Sequence, residues 1–182
     1  DVTVRVAGIS FDEPVDLVIT DAPIGPQTRV RAYNHPLGDS GISIVGTPEL
    51  ASRYAEGFPE SLDGAPMLLP TDNTSLRRNL DQWMDAKQIR PHLVSEFEDS
   101  ALLKSIGQTG SGLFPIPTII EDDVRRQFGV ESIGQLQEVR EQFYAISVER
   151  RIKHAGVAAI VEAARQDLFV HGMREREQLE PV

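Results

Sequence analysis

Two rhythms of apolar residues take turns along this chain, one alternating or briefly unbroken as in a strand, the other spaced like one face of a helix. Val2 to Val6 and Val15 to Ile19 are short β-branched runs that predict strands, the second closed by Thr20-Asp21-Ala22-Pro23, where proline ends pairing. Arg29 to Tyr33 alternates, and Ile42-Ser43-Ile44-Val45 follows Gly38-Asp39-Ser40-Gly41. A further strand pair joined by a loop is expected there. Thr47-Pro48-Glu49 opens a helix, with threonine as cap and proline in the first helical position.

Gly57, Pro59, Gly64 and Pro66 make residues 57 to 66 turn-rich, which predicts a first crossing of the chain between two lobes. The pattern then restarts. Met67-Leu68-Leu69 reads as a buried strand, and Leu76, Leu80, Trp83 and Met84 form the apolar stripe of a helix lying on a sheet. Leu93 to Phe97 is a strand, Ala101 to Ile106 a helix capped by Ser100, and Gly112 to Ile116 another strand. Ile120, Val124 and Phe128 mark a helix ended by Gly129, Phe143 to Val148 a last strand, and Val157 to Leu168 a last helix before a charged tail. Strands alternating with helices predict an α/β fold of two lobes, each a mostly parallel sheet flanked by helices. Lobe I takes residues 1–65 plus 154–182 and lobe II takes 66–153.

Composition narrows the function. With 182 residues, 40% of them hydrophobic, the chain can bury a core of its own. A formal charge of -10 argues against direct binding to nucleic acid or an anionic membrane. The absence of cysteine removes thiolate metal sites and thiol nucleophiles. No apolar run approaches a membrane span, and Asp-Val-Thr-Val-Arg-Val lacks a signal-peptide layout, so a cytoplasmic location is expected.

In sheets of this kind ligands meet the carboxyl ends of the strands. Pro70-Thr71-Asp72-Asn73-Thr74-Ser75 crowds polar side chains at such a strand-to-helix turn, where free N–H groups attract polar or anionic ligands, although capping alone explains one or two of them. Gly107-Gln108-Thr109-Gly110-Ser111-Gly112 ends a helix and enters a strand, the reverse of a phosphate loop; its glycines suit a helix end and a tight turn. Gly38-Asp39-Ser40-Gly41 is a run of turn formers with no histidine base in a recognisable context. His35, His92, His154 and His171 show no paired metal spacing. Glu96 and Glu98 share a strand face with Asp99 beside them, which suits a weak cation site or simply a solvated face. No cofactor is expected. A catalytic constellation is lacking, which argues against an enzyme.

Leu68 to Arg78, Glu96 to Ser100, Gly110 to Phe114 and Phe143 to Arg150 together resemble the effector domain of LysR-type transcription regulators, and are most like the NhaR-type branch that activates sodium/proton antiporters. Asp16 to Ile19 and Thr47 to Ala51 fit the broader pattern. The resemblance implies a periplasmic-binding-protein-like fold with a small molecule or ion held between the lobes, by Thr71, Asn73, Thr74 and Ser75 on one side, Asp21 on the other and Ser100 nearby. It implies pairing into homodimers or tetramers through a strand and helix of each lobe, and DNA binding only through a winged helix-turn-helix that this stretch does not contain. The family's first strand and helix are not recognisable before Asp16, so that part is expected to be missing or shortened. A periplasmic-type solute-binding protein of a transporter would share the fold and is the alternative.

Overall fold

A computed structural model describes residues 4–6, 17–21, 23–25, 32–150 and 152–165. The elements in chain order are β1 (Val4–Val6), β2 (Leu17–Thr20), β3 (Tyr33–Gly46), α1 (Pro48–Tyr54), a 3-10 turn (Glu60–Leu62), β4 (Pro66–Pro70), α2 (Ser75–Lys87), β5 (His92–Phe97) and α3 (Ser100–Gly107). They continue with β6 (Phe114–Pro117), a 3-10 turn (Thr118–Ile120), α4 (Glu121–Phe128), β7 (Glu131–Ser147) and α5 (Ala155–Ala163). The strand expected at Val15 and Asp16, the stretch from Arg29 to Arg31, and the end of the last helix at Leu168 lie outside the described residues. No described helix is long and apolar enough to cross a membrane.

The chain divides into two compact units, one of Asp1–Ser40 with Gln142–Val182 and one of Gly41–Glu141. Both passages from unit to unit therefore fall inside strands, β3 on the way out and β7 on the way back. These bounds differ from the expected lobe limits of 1–65 plus 154–182 and 66–153. The turn-rich stretch before Pro66 belongs wholly to the second unit, where it closes a local loop: the Gly64 N–H donates to the Arg90 carbonyl and the Ala65 N–H to that of Leu62. The loop expected at Gly38-Asp39-Ser40-Gly41 is instead continuous strand with Ser40 buried. Pairing along a sheet overrode the turn preference of the individual residues.

The strands hydrogen bond in the orders β1-β2-β7-β3-β6 and β4-β5. The expectation of mostly parallel sheets holds for β1 with β2 and for β4 with β5, and fails for β2 with β7 and β3 with β6, which are antiparallel. The reason is connectivity. A strand, a helix and a neighbouring strand in succession give a parallel pair, as β4, α2 and β5 do. The long strands β3 and β7 instead carry the chain from one unit to the other, and each runs against the strand it joins on arrival.

In the first unit, Val157 and Val161 lie one turn apart on α5 and close on Leu17, Leu37 and Ala145. In the second, strands buried on both faces explain the unbroken apolar runs. Met67 and Leu69 of β4 join Ile42 and Ile44 of β3 beneath the α2 stripe of Leu76, Leu80, Trp83 and Met84. Leu68 and Val45 face the other way, toward Leu103 of α3, Phe114 and Ile116 of β6, and Val124 of α4. Close backbone approach fixes one glycine: the Leu113 N–H donates to the Pro66 carbonyl, and a Cβ on Gly112 would lie 3.0 Å from that oxygen.

The C-terminal half of α2 is tied to β7 by side chains. Trp83 Nε1 donates to Glu138 Oε2 at 2.6 Å, and Lys87 Nζ lies 3.3 Å from Oε1. The hydrogen bond from Trp83, and after it that from Lys87, hold the Glu138 carboxyl below its ordinary range. A lowered folded pKa contributes stability above the unfolded value that is lost as pH falls through the folded one. Trp83 is the only tryptophan. Its fluorescence should therefore titrate at a pH below the usual glutamate value, and Glu138→Gln should remove that transition; an unchanged titration would show that Glu138 does not face the indole.

Candidate functional site

Parallel pairing sets the candidate site. Pro70 and Phe97 are register partners at the carboxyl ends of β4 and β5, so the loops that follow leave the sheet side by side and open α2 and α3. The Thr71 N–H donates to the Phe97 carbonyl at 3.1 Å, which joins the two loops at their root. The N-termini of two helices thus emerge at one edge, where orphan N–H groups and the helix dipoles favour acceptors and negative charge.

Within the first loop Thr71, Asn73, Thr74 and Ser75 each make a distinct hydrogen bond. Thr74 caps α2: its Oγ1 accepts from the Arg77 N–H at 3.1 Å and donates to the Thr71 carbonyl at 3.0 Å. Thr71 Oγ1 donates to Asn73 Oδ1 at 2.8 Å. Ser75 Oγ accepts from Arg78 Nη2 at 3.1 Å, and Arg78 Nη1 donates to the Asn73 carbonyl at 2.9 Å. Asn73 and Asp72 are exposed, whereas Thr71, Thr74 and Ser75 are partly covered.

Asp99, not Ser100, caps α3. Its Oδ1 accepts from the N–H groups of Ala101 and Leu102 at 2.7 and 2.9 Å, because a carboxylate one residue outside the helix reaches two orphan donors at once. Ser100 becomes the exposed first residue of the helix. Glu96 is also engaged, by Arg77, a residue that spacing along the chain gives no reason to pair with it. Arg77 is only 12% exposed; it donates to Glu96, to both carboxylate oxygens of Asp81 at 2.9 and 3.1 Å, and to the Pro70 carbonyl at 2.8 Å. Burial works to lower its pKa, but the hydrogen bonds it donates to the Glu96 and Asp81 carboxylates, with their charges, outweigh burial and the net shift is upward. Glu98 is exposed. Among the described residues no three acidic or histidine side chains gather as a metal site would require, so Glu96, Glu98 and Asp99 are adjacent without converging.

The structure thus brings Thr71, Asn73, Thr74, Ser75 and Ser100 to one edge of the second unit. Asp21 belongs to the first unit, at the end of β2, where it accepts from Thr20 Oγ1 at 3.4 Å.

Another polar group went unread in the sequence. Ser43, fully buried, donates to Glu121 Oε2 at 2.5 Å and so takes its own hydrogen bond from Thr118 Oγ1 at 2.9 Å, while Gln135 Nε2 reaches Glu121 Oε2 at 3.3 Å. The signal available was a serine inside the apolar run Ile42-Ser43-Ile44-Val45, since a buried hydroxyl requires a partner.

Comparison with known proteins adds what geometry alone does not. The model of a family described as the LysR substrate binding domain matches residues 11–169. The transcriptional activator protein NhaR of Escherichia coli is 29% identical over 163 residues, 88% of this chain and 52% of the relative, so the chain spans about half the length of the curated relatives it matches. Among solved structures, the effector domain of the transcriptional regulator AmpR of Pseudomonas aeruginosa superposes with a TM-score of 0.62 at 16% identity, covering 91% of this chain and 77% of that one. The CcmR regulatory domain of Synechocystis, in complex with 2-PG, gives 0.57 at 9% identity over 85% and 74% of the two chains.

Proposed function

Because the chain belongs to the LysR substrate binding domain family, we propose that it is the effector-sensing part of a bacterial transcription regulator, taking a small molecule at the edge where α2 and α3 begin. The family is regulatory and does not catalyse. The observation that carries the placement is the side-by-side exit of two helix N-termini from parallel strands, with Asn73 before one helix and Ser100 at the start of the other, both exposed. Each unit is read as one lobe of a binding-protein-like fold, and Asp21 is a separate candidate on the first unit. DNA contact is made by a part of the regulator other than this acidic domain, in the cytoplasm.

Glu96 is held by Arg77 and Asp99 by the α3 N-terminus, each through one carboxylate oxygen, so a cation would compete with both contacts, and a small organic acid is the ligand proposed. Thermal unfolding across sodium, lithium and potassium salts and a panel of small organic acids, at fixed ionic strength, tests this, because a ligand specific for the folded state raises the midpoint by mass action. A rise with an acid that Asn73→Ala diminishes is expected. Asn73 is the residue to change: Thr74→Ala would itself cost about 1 kcal/mol of cap energy and confuse the readout. A selective sodium or lithium rise would transfer the site to the acidic residues, and no rise with any of them would sink the reading.

Self-association belongs to the same proposal. Leu93 and Val94 on β5 and Leu102 and Ile106 on α3 are large hydrophobic residues left exposed, Leu102 at 53%, with Leu102 and Ile106 one turn apart. We place a homodimer contact on this strand and helix. Burying one leucine contributes about 1.5–3 kcal/mol, so Leu102→Glu should weaken association at least about tenfold in sedimentation equilibrium. A wild-type domain that stays monomeric at high concentration would refute the contact.

A further inference from the structure

We draw no further inference here: the strongest candidate, the cluster of Ser43, Thr118, Glu121 and Gln135 where β3 meets the first turn of α4, carries nothing because its hydroxyls, carboxylate and amide satisfy one another and nothing in the structure shows what it would bind.

Discussion

Gly107→Ala is expected to destabilise the second unit by about 1–3 kcal/mol, the cost of forcing extra volume into a packed core. Gly107 ends α3 against β6, and a Cβ there would lie 2.3 Å from two ring carbons of Phe114. That ring cannot swing aside, being fully buried among Val45, Leu68, Leu103 and Val124. Alanine is worth about 1 kcal/mol more than glycine inside a helix, but at a helix end against an immovable ring the overlap wins. Urea unfolding would show a lower midpoint with the slope unchanged. Adding Phe114→Leu should recover part of the loss, whereas an undiminished midpoint in Gly107→Ala would show that α3 does not sit on β6 as described.

The larger loss is expected at Leu80. Leu80→Ala removes a side chain that is 1% exposed at the centre of the α2 stripe, with Met67, Leu69, Ile42 and Val139 in the same cluster. Such truncations cost about 2–5 kcal/mol, the lost burial plus the cavity left behind. Gln82→Ala, on the exposed side of the same helix, should change the unfolding free energy by less than about 0.5 kcal/mol. Equal effects at the two positions would mean that α2 does not lie on the sheet through this face. The Thr71 to Ser75 loop depends on the same packing, since its cap bonds close only on a helix that is in place.

The α2 stripe was legible because its determinants are local, whereas the sequence leaves open which residue of the Thr71 to Ser75 run caps the helix. Leu76, Leu80, Trp83 and Met84 repeat at helical spacing, and Thr74 stands one residue before the helix. Gly129, read as a helix end, has φ of 64° as the cap of α4, and Gly110 takes a turn at 82°. What escaped depends on distant partners. β7 begins at Glu131, well before the expected Phe143, and its buried Ile133, Leu136 and Val139 recur every third residue, which suggests no strand. Only its place between β2 and β3 in the sheet makes it one. The Gly38 to Gly41 segment was misread for the same reason. At the site, the choice of Asp99 over Ser100 as cap turned on reach, and the pairing of Glu96 with Arg77 spans nineteen positions. No local pattern encodes that pairing, and none decides between two adjacent capping residues.

That both passages between units lie within β3 and β7 also bears on the order in which the polypeptide is finished as it leaves the ribosome. Gly41–Glu141 is one continuous stretch, whereas the other unit is assembled from the two ends. Translation runs at about 5–20 residues per second, so the interval between Ser40 and Gln142 lasts on the order of ten seconds. Throughout it, Leu17 and Leu37 lack Ala145, Val157 and Val161, the residues that later bury them. The inserted stretch can meanwhile close its own core. The apolar strands made first are therefore completed last, and a chaperone that shields β2 until α5 emerges would be acting at the most vulnerable moment of this domain's synthesis.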